Sequence, residues 1–214
     1  MCYHTKLTAK TEKIEGSLKA QFHEPDRYMP QEEINGFDFK STPVITDENP
    51  QKIQFYQWGL IPHWAKNDEI KKVTLNARIE SAEDKPSFRD AIDQRCLVIA
   101  EGFYEWHWYD TKGREKQKYL IRPTDQEIFA FAGIYSTWEN PKNGAIINSY
   151  SILTTQANSL MREIHNTKKR MPIILREEDR QHWLDHQDLS DFAFPYEVSL
   201  KADKIGHSGV YRLF

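Results

Sequence analysis

Between Arg95 and Gln156 the chain reads as strand after strand, and this run constrains the fold more than any other feature. "RCLVIAEGFYEWHWY" turns through "DTKG" into "KQKYLIRP", and "EIFAFAGIYSTW" and "SYSILTTQ" follow. β-branched and aromatic residues at this density suit extended chain. Gly113 suits the positive φ that a hairpin loop requires. "PVIT", "KIQFYQWGL" (alternating around Ile53, Phe55 and Gln57) and "RMPIIL" add further strands. Near-helical spacing of Leu7, Ile14, Leu18 and Phe22 predicts a helix in "LTAKTEKIEGSLKAQF" with Thr8 as N-cap. "DKPSFRDAI" reads as a short helix with Pro86 in its first turn, and "ANSLMREIH" and "REEDRQHWLDH" as two more. Many strands in mid-chain with helices outside them imply an α+β fold. The expectation is a single domain over residues 1–214, with a twisted or β-barrel-like antiparallel core and peripheral helices.

A chain of 214 residues can bury a core without covalent staples. Of its two cysteines, Cys96 lies in an apolar run and reads as core packing. The protein is therefore expected to be reduced and intracellular, cytoplasmic or nucleoid-associated. The longest apolar stretch, "IFAFAGIY", is far too short to span a bilayer. A net charge of −3 argues against a surface coated for nucleic acid, but it leaves room for a local basic groove. His182 and His186 have i, i+4 spacing but lack the intervening Glu of zinc peptidases and a third ligand. No metal and no cofactor are expected.

Several short constellations could carry chemistry. Removal of Met1 would expose Cys2, placing an α-amine and a thiol on adjacent carbons, with unperturbed pKa values of about 7.7–8.0 and about 8.5. "LNARIES" puts Asn76, Arg78 and Glu80 at alternate positions, on one side of an extended segment. "AEGFYEWHW" flanks Glu105 with aromatics, which would desolvate its carboxyl and fit it for proton transfer near neutral pH. There Glu101, Phe103 and Glu105 share a face unless Gly102 marks a bulge or a close backbone approach. "EIHNTKKRMP" places His165 at a helix end before Lys168, Lys169 and Arg170. "YQWGLIPHWAK" presents Trp58 and Trp64 around a Gly and a Pro, either as packing or as a wedge for bases. Each block also has a plain structural explanation: a solvated strand face, a rim carboxylate, a charged turn.

In this order, Met-Cys, "WGLIPHW", "NARIES", "EGFYEW" and "HNTKKRMPIIL" resemble the SRAP family (SOS response-associated peptidase, the abasic-site-shielding domain). The matching blocks run from Cys2 to about Leu175. The resemblance implies an α+β fold with a barrel-like core, and a DNA-damage-response protein that binds single-stranded or junction DNA and links covalently to abasic sites. It implies Cys2 as nucleophile, Asn76 orienting the sugar, Glu105 and His165 moving protons, and a thiazolidine crosslink. It also implies DNA contacts from His4, Arg78, Lys168, Lys169, Arg170, Trp58 and Trp64, with little sequence preference. Many relatives begin Cys-Gly-Arg; here His4 replaces the Arg and a fixed charge is missing. The segment from His165 to Arg170 is longer than in many relatives, and Lys168 and Lys169 would restore charge. A monomer is expected. The alternatives are a cysteine peptidase or amidohydrolase using Cys2, which the family's name suggests, and a non-covalent single-strand reader.

Overall fold

The computed structural model describes residues 2–206. Its strands are β1 (His4–Leu7), β2 (Gln21–Phe22), β3 (Gln31–Asn35), β4 (Ser41–Thr46), β5 (Lys52–Trp58), β6 (Asn76–Arg78) and β7 (Arg95–Ala100). Then follow β8 (Gly102–Trp108), β9 (Lys116–Pro123), β10 (Phe129–Glu139), β11 (Ile146–Gln156), β12 (Arg170–Pro172), β13 (Ile174–Leu175) and β14 (Leu200–Ile205). The α-helices are short: α1 (Thr11–Leu18), α2 (Ser159–Ile164) and α3 (Asp179–Leu184). None is long and apolar enough to cross a membrane.

Five strands close into a barrel in the order β5, β4, β7, β10, β11. Neighbours are antiparallel except at the seam, where β11 returns parallel to β5 through Ser149↔Gln57 and Tyr150↔Trp58. Closure satisfies the strand edges that an open sheet would expose. β7 is buried along its whole length, and Cys96 within it is a core residue as expected. A second sheet, in the order β14-β9-β8-β1-β3, packs on the barrel, and one apolar cluster runs through both. The architecture is mixed α and β around a barrel, as the strand run implies.

The run "RCLVIAEGFYEW" belongs to both sheets. It divides at Glu101: β7 stays in the barrel, and β8 enters the second sheet. The Glu101 carboxylate accepts from the Thr8 N–H, the Thr8 hydroxyl and the Ala9 N–H. Thr8 is therefore not the cap of α1, which starts at Thr11, and Leu7 belongs to β1. Gly102 follows because a Cβ there would lie 2.7 Å from Leu120 Cδ1, so the suspected close approach is real. "DKPSFRDAI" forms turns and a 3₁₀ segment, Arg89–Ala91, instead of an α-helix. "RMPIIL" splits because Ile173 crosses between strands: its N–H donates to Leu153 and its carbonyl accepts from Ala132. In β5 the buried positions are Ile53, Tyr56 and Trp58, so the alternation changes phase after Gln54.

Candidate active site

The β1–β8 ladder sets the position of Cys2. It pairs His4 with Tyr104, and continuing that antiparallel register by two residues brings Cys2 level with Trp106. Asn76 holds the other side. β6 runs parallel to β11 with Asn76 opposite Ile152, and the Asn76 Nδ2 donates to the Cys2 carbonyl at 2.8 Å. The Asn76 Oδ1 is buried and has no hydrogen-bond partner among the described residues. Cys2 is 0% exposed, and its Sγ lies 3.8 Å from the His4 carbonyl. Burial, and then the neighbouring Glu105 charge, push the thiol well above its ordinary pKa, so it stays protonated. Met1 lies outside the described residues.

Glu105 sits on β8 and is itself buried, which pushes its carboxyl up to about 7. It can therefore give or take a proton near neutral pH. His165 ends α2, its N–H donating to Met161. Its Nδ1 lies 2.7 Å from the Arg170 carbonyl. A carbonyl only accepts, so Nδ1 carries the hydrogen and Nε2 is the acceptor. Burial pushes this ring down to about 4, so the imidazole is neutral at pH 7. Glu105, His165 and Tyr3 line one end of a cleft of about 870 Å³. The structure thus gathers Cys2, Asn76, Glu105 and His165, which are far apart in sequence.

The other expected site residues divide. Arg78 is exposed at the end of β6 and makes no ion pair among the described residues; Lys168 and Lys169 are likewise exposed and unpaired. Lys168 lines the cleft, while Lys169 turns the chain at φ 52° and donates its N–H to the His165 carbonyl. Trp64 is 46% exposed but lies outside the cleft lining.

Three assignments need correction. Trp58 is 1% exposed, stacks on Tyr150 at a centroid distance of 6.2 Å, and donates its Nε1–H to the Leu75 carbonyl. It is a core residue, unavailable to bases. Arg170 is bound by both Glu80 oxygens at 2.9 and 2.7 Å and also donates to the Thr154 carbonyl at 2.6 Å. Its charge is spent inside the protein. Glu80 reaches it because β6 stops at Arg78 and the chain enters a 3₁₀ turn, so the three residues of "NARIE" do not share one face. His4, expected among the DNA contacts, instead pairs with Glu33 at 2.8 Å and meets the Trp106 ring edge-on, and burial lowers its pKa, so the fixed charge expected to be missing is not restored. Sequence reasoning also missed Tyr109, Lys116 and Asn166 at the far end of the cleft. The alternating aromatics of "WHWY" were a signal for that wall, but nothing local marks Asn166.

A family model described as SOS response associated peptidase (SRAP) matches residues 1–207. An abasic site processing protein, YoqW, of Bacillus subtilis is 35% identical over 161 residues, covering 72% of this chain and 69% of that protein. The abasic site processing protein HMCES of Gallus gallus is 32% identical over 167 residues, covering 67% of this chain and 48% of that longer protein. A crystal structure of a protein from Bacteroides thetaiotaomicron superimposes with a TM-score of 0.87 at 34% identity, covering 96% of this chain and 92% of that one.

Proposed function

This chain belongs to the SOS response associated peptidase (SRAP) family, and from that membership and the cleft geometry we propose that it processes abasic sites in DNA by trapping them covalently on Cys2. The observation that carries the proposal is the burial of Cys2 beside Glu105, with its carbonyl anchored by Asn76. Removal of Met1 would leave the Cys2 amine at the head of the cleft. An abasic deoxyribose is mostly a closed hemiacetal, and only its open form carries an aldehyde. The acid form of Glu105 would protonate the ring oxygen while the neutral His165 Nε2 takes the C1′ hydroxyl proton. The Cys2 nitrogen then attacks C1′, water leaves, and an imine forms. Sγ adds to the same carbon and its proton passes to nitrogen, closing a five-membered thiazolidine. Being intramolecular, that closure can reach effective molarities of about 10⁵–10⁸ M.

A thiol held protonated favours this order, with the amine attacking first. It disfavours a cysteine peptidase, which needs a thiolate next to a base. Arg78, Lys168 and Lys169 are exposed cations that would meet backbone phosphates, which position the strand without reading its sequence. The substrate would be single-stranded or junction DNA and the working unit a monomer.

Intact mass spectrometry before and after incubation with an abasic oligonucleotide tests the mechanism. The expected product is the protein lacking Met1 plus the oligonucleotide minus one water, absent in Cys2→Ala. A sample shown to begin at Cys2 that gains no such mass would overturn it.

A further inference from the structure

The cleft is larger than the lesion it is proposed to receive. An abasic sugar has no base, yet beyond Glu105 the wall is aromatic, made by Trp106, Trp108 and Tyr109. This wall is built, not incidental. β1 pairs with β8 only across Gly102–Tyr104, and further along that edge Asn166 takes the place of a strand. Its Nδ2 donates to the Trp108 carbonyl at 2.8 Å, and its Oδ1 accepts from the Trp108 N–H at 3.2 Å. His107 Nδ1 adds a second tie, donating to the Glu163 carbonyl at 2.7 Å. Residues 163–166 are thereby fastened to the β8–β9 hairpin. On the hairpin side Gly113 backs the Trp108 indole, where a Cβ would come within 2.8 Å of the ring. Tyr109 is 56% exposed and stands edge-on to His107 at 4.9 Å.

Charge at this end favours a phosphate-bearing occupant. Lys116 and Lys168 both line the cleft, are exposed, and make no ion pair among the described residues. Lys116 sits 5.5 Å from the Trp106 ring centroid. The carboxylate at this end, Asp110, is engaged by the Lys112 and Arg114 N–H groups and by the Arg114 side chain.

We propose that the Trp108–Tyr109 end of the cleft is a nucleobase subsite, which takes the base of one nucleotide flanking the abasic position while Lys116 and Lys168 face its phosphates. The assignment rests on the abasic-DNA function proposed above and adds how the strand is gripped beside the lesion. Stacking on an aromatic wall is tolerant of base identity, so the subsite demands a base without choosing which.

The test is kept separate from crosslinking chemistry. Oligonucleotides carry a central tetrahydrofuran, an abasic analogue with no aldehyde, and binding is read by fluorescence anisotropy. Two further oligonucleotides replace the 5′ or the 3′ flanking nucleotide with a second tetrahydrofuran. Tyr109→Ala and Trp108→Ala are each expected to weaken binding of the first oligonucleotide about tenfold. Trp108→Phe should restore most of the loss. On one of the two doubly substituted oligonucleotides, wild type should already bind about tenfold more weakly and the variants should add nothing. Equal loss on all three oligonucleotides, or no loss on any, overturns the subsite. Tyr109→Ala keeps the test valid should Trp108→Ala fail to fold, since Tyr109 is mostly exposed. Anisotropy intact without an adduct from a true aldehyde would instead overturn the crosslinking function and leave the subsite standing.

Discussion

Glu105 and His165 share a cleft, and burial shifts their pKa values in opposite directions, up to about 7 and down to about 4. The same cause acts on opposite charges: desolvation removes a carboxylate's charge by protonation and an imidazole's by deprotonation. Crosslinking should therefore have a bell-shaped pH profile. The free Cys2 amine is lost below about 7.7–8.0, and the acid form of Glu105 is lost above about 7. Glu105→Gln should lower the rate about 10²-fold or more and abolish the alkaline fall, leaving only the rise from the amine. A rate series from pH 5.5 to 9.5 checks both. Stability depends on the same proton. The folded state binds the Glu105 proton more tightly than the unfolded chain, so stability is lost as pH rises from about 4.5 through about 7. Glu105→Gln should accordingly raise stability at pH 8 by about 3 kcal/mol and leave it unchanged near pH 4, as read by urea denaturation at the two pH values.

At the scale of elements, the site depends on ties between segments that are remote in sequence. One of them joins the 3₁₀ turn after β6 to β12. Glu80 holds the Arg170 side chain by two charge-assisted bonds, and the Arg170 carbonyl fixes the His165 tautomer. Glu80→Gln should slow crosslinking about tenfold without moving the affinity for tetrahydrofuran DNA, because Glu80 positions His165 and contacts no phosphate. Equal losses in both readouts would show that Arg170 serves DNA after all. These ties also mark where local reading stops. The strands of the 95–156 run are legible because their composition suits extended chain whichever neighbour they take. Which sheet each joins is decided at Glu101 by Thr8 and Ala9, about ninety residues away, and no period-2 pattern carries that information. Cys2, Asn76, Glu105 and His165 are legible because their short motifs match a known family. The partners that limit a charge, Glu80 for Arg170 and Glu33 for His4, are visible only once the chain has folded.

For the molecule as a whole the critical join is the barrel seam. Trp58 lies opposite Tyr150 where β5 meets β11 in parallel, its ring stacked on Tyr150 and its indole N–H bonded to Leu75. Tyr150 in turn shares a hydrogen bond of 2.7 Å with Thr42 on β4, so three barrel strands meet at this stack. A tryptophan displayed for bases and one that closes a barrel respond differently to truncation. A base platform lost from the surface would weaken DNA binding and leave the fold intact. A seam residue leaves a cavity between strands, and large-to-small changes of buried aromatics cost about 3–5 kcal/mol. Trp58→Ala should therefore lower the urea midpoint markedly, in one cooperative transition, while the protein that remains folded keeps wild-type affinity for tetrahydrofuran DNA. Trp64→Ala, at an exposed position on the following loop, should leave the midpoint unchanged. If Trp58→Ala instead kept its midpoint and lost DNA affinity, Trp58 would be a base reader and the seam would be held by Tyr150 and its hydrogen bond alone.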